Sequence, residues 1–327
     1  MFTTQNANGP STTVHSTVVT PDGVRLAVRE EGDLSADLTV LLLHGHCLRS
    51  ESWAYVRDQI DPNLSVRVVS YDHRGHGDSE EAPASTYTIG QLADDLHAVI
   101  DAVAPTGPVM LVGHSMGGMT AITYAGRYPA EIGTRIVGMG LVATAASNLS
   151  DAGFGRLLRN PATGWFQAAV RRAPGLMRRV KHLGCRALAP VIETAEFGNR
   201  KVSPRIVALA AAMHNQTPIT TMATFLSSFR TFDETDSLGV LAEIPTLVLC
   251  GTADLMTPLT HSVTIAAQVR GAELVCVDGA GHSVILEQPA AVAHGIARLI
   301  SRARAASGDT AHDASGDSVG ARVVLAA

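Results

Sequence analysis

Ser115 stands in Gly113-His114-Ser115-Met116-Gly117, between the apolar run Val109 to Val112 and the helix-forming stretch Met119 to Ala125, which stops near Pro129. A strand, a G-x-S-x-G turn and a helix make a nucleophile elbow. The tight turn excludes bulky side chains, hence Gly113 and Gly117, and holds the serine in strained backbone geometry with its hydroxyl above the sheet. The helix that follows aims N–H groups at the place where negative charge would develop on an attacked acyl carbon. By itself the pentapeptide is a weak signal, which a chance glycine-serine loop explains as well.

A serine hydroxyl attacks poorly until a base takes its proton, so a histidine and an orienting acid should lie elsewhere in the chain. Thr246 to Leu249 reads as a strand, and Cys250-Gly251-Thr252-Ala253-Asp254 places a carboxylate just past its end. Glu273 to Val277 reads as another, followed by Gly279-Ala280-Gly281-His282. Asp278, four residues before His282, is the alternative acid. An isolated histidine is ordinarily a solvated side chain. Three roles in the order Ser115, Asp254, His282, each at the carboxyl end of a predicted strand, favour catalysis instead.

Further motifs carry a family resemblance. Leu41-Leu42-Leu43-His44-Gly45-His46 is similar to a strand followed by an H-G-x oxyanion loop. Asp72-His73-Arg74-Gly75-His76-Gly77-Asp78-Ser79 resembles a D-x-R-G-x-G-x-S loop, and Gly281-His282 with Glu287 and Pro289 resembles a terminal G-H-x-x-x-x-E-x-P segment. With the elbow, these four ordered motifs resemble the α/β-hydrolase fold superfamily, serine-nucleophile branch, from about Val18 to Ile300. The resemblance implies an oxyanion hole built from the backbone N–H groups of Met116 and His46. It specifies the substrate far less than the fold.

Composition fits an ordinary enzyme. The chain has 327 residues, 46% hydrophobic and 17% charged, enough for one large domain with an insertion. A net charge of −5 leaves no nucleic-acid footprint. No apolar run approaches the roughly 20 residues that span a bilayer, so stable membrane insertion is not expected. Met1-Phe2-Thr3-Thr4-Gln5-Asn6 is not the start of a secretory signal. Cys47, Cys185, Cys250 and Cys276 form no C-x-x-C pair and read as small buried hydrophobes kept reduced, which suits the cytoplasm. The oligomeric state is not legible.

Residues 1–11 are polar and read as a flexible N-terminus. Pro21-Asp22-Gly23 is a turn signal between Val14–Thr20 and Val24–Arg29, a predicted hairpin. Val40–Leu43, Val66–Ser70, Val109–Val112 and Ile136–Leu141 are strands without polar alternation, as in a parallel sheet covered on both faces. Trp53–Ile60 and Ile89–Val103 are helices between them, the second opening on a capping box, Thr88-Ile89-Gly90-Gln91. The fold class is thus α/β, a doubly wound, mostly parallel sheet, with the core in 12–145 and 244–301.

After the sixth predicted strand the pattern breaks, and 146–243 is read as a helical cap over the site, as the resemblance implies. In it, Trp165, Phe166, Phe225 and Phe229 are candidates to bind substrate and Met177 to line the same pocket, although their helical spacing also fits the cap's own core. Arg171, Arg172, Arg178, Arg179 and Lys181 crowd one short stretch, for which a solvated helix face is the plain reading and an acidic substrate or anionic surface the functional one. Residues 302–327 turn to Ala, Ser, Gly and Asp without period, and the expectation there is a disordered tail.

The chemistry expected is acyl transfer from a small-molecule substrate without a cofactor. His282 takes the Ser115 proton, Asp254 holds the imidazole tautomer, and water clears the acyl-enzyme. His44, His46, His73, His76 and His114 lie in loop motifs and lack metal-ligand spacing, so no metal is expected; His44 and Arg74 shape their loops through hydrogen bonds. Serine at position 115 argues against the dehalogenase and epoxide-hydrolase branches. Ester hydrolysis leads. Thioester or C–C hydrolysis and cofactor-free haloperoxidase or perhydrolase chemistry use the same three residues, and a non-catalytic ligand receptor is the answer from another class.

Overall fold

The computed structural model describes residues 2–4, 13–198, 202–309 and 322–326. The chain opens with β1 (Phe2–Thr4), β2 (Thr13–Val19), β3 (Arg25–Gly32) and β4 (Leu38–Leu43). It continues through α1 (Ala54–Arg57), β5 (Val66–Tyr71), α2 (Ile89–Val103), β6 (Val109–His114), α3 (Met116–Arg127) and β7 (Ile136–Val142). Four helices follow: α4 (Pro161–Arg172), α5 (Pro174–Glu196), α6 (Pro204–Gln216) and α7 (Ile219–Arg230). The chain then alternates β8 (Thr246–Gly251), α8 (Leu259–Gln268), β9 (Glu273–Val277), α9 (Val284–Glu287), α10 (Pro289–Asp309) and β10 (Arg322–Ala326).

One sheet holds all ten strands in the order β1-β2-β3-β5-β4-β6-β7-β8-β9-β10. The first three pair antiparallel, β3 joins β5 antiparallel, and every other neighbour is parallel. From β4 the chain steps to β5 on one side and later returns to β6 on the other. That reversal opens a crevice beyond the carboxyl ends of β4 and β6, where ligands bind in such sheets. Leu43 pairs with Gly113 across it, so the loops that begin at His44 and Ser115 emerge side by side.

The central strands β4, β6 and β8 are buried along their whole length, as their unbroken apolar runs require, whereas β2 alternates toward solvent. On one face α2, α3 and α8 cover the sheet with Leu96, Ile100, Ile122 and Ile265; on the other α1, α9 and α10 cover it with Val56, Leu286, Ile296 and Leu299. Each fully buried aliphatic side chain contributes about 1.5–3 kcal/mol. Thr88 caps α2, its hydroxyl accepting from Gln91 N–H at 3.1 Å. The box is only half closed, because the Gln91 side chain reaches forward to Asp95 at 3.4 Å.

Three expectations need correction. Trp53–Ile60 is not a full helix: a 3-10 turn at Ser50–Trp53 runs into the single turn α1, which ends before Asp61-Pro62. Residues 302–309 are the end of α10, where the Arg302 guanidinium donates to the carbonyls of Thr246 and Gly271 at 3.1 and 2.7 Å. Residues 322–326, whose Val-Val-Leu core suits a strand, form β10 in parallel register on β9; the Gly, Ser and Asp before them hid that signal. At the other end β1 pairs with β2, while 5–12 and 310–321 lie outside the described residues.

Between β7 and β8 no strand occurs among the described residues, only α4–α7, short 3-10 turns and a single antiparallel bridge, Ser147 to Asp233. Among the described residues no helix is long and apolar enough to cross a membrane. Cys47, Cys250 and Cys276 are buried and unbridged; the Cys185 side chain lies outside the described residues.

Candidate active site

Ser115 adopts φ 52° and ψ −117°, a left-handed conformation that L-residues seldom take. The turn is forced by contact. A Cβ on Gly113 would lie 2.3 Å from the Gly117 carbonyl oxygen, and one on Gly117 would lie 2.3 Å from that of Leu43. Ser115 N–H donates to Val142 O at 2.9 Å, and the Thr144 hydroxyl donates to Ser115 O at 2.7 Å. The strain is held from both ends.

The structure brings the three sequence-derived residues together in series. Ser115 Oγ lies 2.9 Å from His282 Nε2, and His282 Nδ1 lies 2.9 Å from Asp254 Oδ2. Asp254 is fixed in turn: Oδ1 accepts from Met256 and Thr257 N–H at 2.8 and 2.9 Å, and Oδ2 accepts from the Thr257 hydroxyl at 2.8 Å. Asp278 is elsewhere, accepting from the Thr252 hydroxyl at 3.3 Å. A hydroxyl, a base in reach of its proton and a carboxylate on the far ring nitrogen can together perform nucleophilic catalysis.

Burial, the largest single influence on His282, favours its neutral ring, but the Asp254 carboxylate, with Glu196 and Glu287 farther off, outweighs it and raises the pKa above 6.5. The five histidines of the surrounding loop motifs are pushed the other way, toward the neutral ring. Desolvation depresses His44, His46 and His76 to about 3 and His114 to about 4, and holds His73 well below its ordinary value. The rings of His44, His46, His76 and His114 each fasten a loop by a hydrogen bond, whereas neither ring nitrogen of His73 has a hydrogen-bond partner among the described residues. His44 Nε2 accepts from His73 N–H at 2.9 Å, so Nδ1–H donates to Gly45 O at 2.7 Å. His114 Nε2–H donates to the His282 carbonyl at 2.9 Å. No group of three or more potential ligands for a metal ion occurs among the described residues.

Arg74 is a loop fastener too. Its guanidinium, fully buried, clamps Asp95 of α2 at 2.6 and 2.5 Å and Asp22 of the hairpin turn at 2.9 and 3.1 Å. Removing one partner of such a buried pair typically costs about 3–5 kcal/mol. Asp72 accepts from Ser50 N–H at 2.7 Å and from Asp78 N–H at 2.8 Å, and leaves room only for a glycine at 77, where a Cβ would lie 2.1 Å from its carboxylate oxygen.

The Ser115 hydroxyl opens into a cavity of about 430 Å³. His46 and Met116 line it, and neither backbone N–H donates to a protein acceptor among the described residues. Gly45 brings the first of them close, since a Cβ there would sit 3.2 Å from Ser115 Cβ. The walls are mostly apolar: Leu48, Met119, Leu149, Phe154, Leu158, Met222, Leu226, Phe229 and Met256.

Of the aromatic candidates only Phe229 lines this cavity. Trp165 is 78% exposed on the outer side of α4. Phe166 and Met177 pack with Val170, Ile219 and Ala223 inside the helical insertion. Phe225, fully buried, stands behind the wall with its ring against His46, Tyr87 and Phe229. Helical spacing distinguishes an inward from an outward face, but not the cavity from the insertion's own core.

Sequence reasoning missed a polar corner of the cavity. Glu196 and His214 both line it, 3.4 Å apart. Burial disfavours the charge on each, yet the pair holds the Glu196 carboxylate well below its usual range and raises His214. Glu287 accepts from Gly281 N–H at 2.8 Å and from Gly198 N–H at 3.1 Å, fastening the His282 loop to the end of α5. Thr257 was equally invisible; only its position three residues after Asp254 hinted at a turn around that carboxylate.

Among curated proteins, "Probable oxidoreductase EphD" of Mycobacterium tuberculosis is 38% identical over 122 residues. That alignment spans 36% of this chain and only 20% of the relative, so the chain matches about a fifth of that protein's length. "Proline iminopeptidase PfmaB" of Pestalotiopsis fici is 28% identical over 280 residues, spanning 82% of this chain and 92% of the relative. Among solved structures, a thermophilic esterase from Thermogutta terrifontis superposes with a TM-score of 0.70 at 26% identity, covering 89% of this chain and 99% of that one. The profile of the alpha/beta hydrolase fold matches residues 39–289, and the chain belongs to that family.

Proposed function

We propose that this α/β-hydrolase cleaves carboxylic esters whose acyl part is apolar. The supporting observation is the series Ser115–His282–Asp254, with both contacts at 2.9 Å, opening into a cavity walled mainly by Leu, Met and Phe. As Ser115 Oγ attacks the carbonyl carbon, His282 Nε2 takes its proton, and Asp254 stabilises the imidazolium and fixes the tautomer. The oxyanion sits between the N–H groups of Met116 and His46. Loss of one such donor typically costs about 2.7–4 kcal/mol. The imidazolium then protonates the leaving alcohol, and a water, deprotonated by His282, releases the acid and restores Ser115.

In this reading the insertion between β7 and β8 is a cap that sets substrate choice, since it contributes Phe154, Leu158, Met222, Leu226 and Phe229 to the cavity. The likeness to a solved esterase favours ester over thioester or C–C cleavage. Three buried, unbridged cysteines suit a cytoplasmic setting. The test is hydrolysis of p-nitrophenyl esters by Asp254→Asn beside Asp278→Asn. The first should lose about 10⁴-fold in kcat, as wrong-tautomer variants do, and the second little. The reverse outcome would assign the wrong carboxylate, and no hydrolysis by the intact protein of any ester across acyl lengths would reject the activity.

A further inference from the structure

Charge is distributed very unevenly along this chain. Residues 151–181 carry six arginines and Lys181 against one acid, Asp151, a net +6, so the remainder of a chain of net −5 carries −11. Asp151 is already engaged by Arg159 at 3.0 Å. Arg171, Arg172, Arg178 and Arg179 are exposed and have no acidic partner among the described residues. A solvated helix face would explain cations alone. It does not explain their neighbours.

Eight large apolar side chains stand exposed among the described residues, and four of them, Leu157, Trp165, Leu176 and Val180, fall in this same stretch. Trp165 and Arg172, seven residues apart, share the outer side of α4, while Phe166 and Val170 face inward. On α5, Leu176 and Val180 are one turn apart on one flank, while Met177 and Lys181 turn in, the lysine donating to the carbonyls of His214 and Asn215 at 2.9 and 3.0 Å. Both helices pack on α7 and present their remaining faces to solvent. The face adjoins the cavity, which Phe154, Leu157 and Thr163 line from the same stretch.

Tryptophan and leucine beside arginines is the composition of a helix that lies in a bilayer interface, apolar groups among the acyl chains and cations on the headgroup phosphates. We propose that the α4–α5 face docks this protein on anionic lipid bilayers, with Trp165, Leu176 and Val180 seated in the interface. An exposed indole in a strongly cationic field fits no soluble anion as well. Delivery of membrane-dissolved esters to the cavity is the benefit if the esterase reading holds; the docking itself does not depend on it.

Sedimentation of the full chain with vesicles of phosphatidylcholine, with and without a large fraction of phosphatidylglycerol, tests this. Binding is expected only to the anionic vesicles and should vanish near 1 M salt, where screening acts over about 3 Å. Each Arg→Gln change at 171, 172, 178 or 179 should weaken it about fivefold, and Trp165→Ala with Leu176→Ala should weaken it as well. A thermal melt shows whether each variant is folded. Equal binding to both vesicle types, undiminished binding by the four-arginine variant, or binding to heparin without binding to vesicles would overturn the proposal. Because sedimentation does not read hydrolysis, it fails independently of the proposed activity.

Discussion

Glu196 holds Ser283 twice: its backbone carbonyl accepts the Ser283 N–H at 2.8 Å, and its carboxylate accepts the Ser283 hydroxyl. The residue beside His282 is thus fastened to the last turn of α5, so the helical insertion helps position the proposed base while walling the cavity.

Glu196→Gln should therefore move the acid limb of kcat/KM to lower pH. His282 is raised by Asp254 first, then by Glu196 and Glu287, with His114 the facing imidazole; removing one carboxylate lowers it, and His214 loses the partner that raises it. The glutamine oxygen can still accept from Ser283, so the maximal rate should fall less than in Glu196→Ala. A pH-rate profile of both variants checks this, and an unmoved limb would leave Glu196 a purely structural role.

Chain-length preference should respond to Phe229→Ala and Met222→Ala, which enlarge the cavity, because each buried CH₂ of an acyl chain is worth about 0.8 kcal/mol. Phe225→Ala should instead cost about 3–5 kcal/mol of stability, as large-to-small changes in a packed core do. Trp165→Ala should alter neither. Rates on acetate, butyrate and octanoate esters beside thermal melts separate these outcomes; a uniform fall tracking stability in Phe229→Ala would remove it from the specificity argument.

Stability should decline steeply in acid. His44, His46, His76 and His114 are buried with values depressed to about 3 or 4, and burial holds His73 well below its ordinary value, whereas each binds a proton near 6.5 once unfolded. The unfolded state holds more protons in that window, so stability is lost as pH falls from about 6.5 toward 4. Melts at intervals across this range check the slope. A flat Tm would mean that the histidines are hydrated in the folded protein.

Much of this was legible before the structure. The parallel core strands announced themselves as unbroken apolar runs, and the order Ser115, Asp254, His282 pointed to three side chains at strand ends that the structure brings into hydrogen-bonded series. The cavity wall was not legible, because Phe229 and Phe225 lie four residues apart on α7 and differ only in what packs against them. Nor was Glu196, whose partners Ser283 and His214 reach it from distant segments. β10 was hidden for another reason: five strand-forming residues follow a Gly-, Ser- and Asp-rich stretch that dominates the local composition.

Activation of Ser115 as a nucleophile by His282 is open to chemical trapping. Intact-mass analysis after exposure to a fluorophosphonate, followed by peptide mapping, tests it most directly. A single adduct is expected on Ser115, absent from Ser115→Ala and formed far more slowly in His282→Ala. Labelling that persists in Ser115→Ala, or that proceeds unchanged without the His282 imidazole, would contradict it.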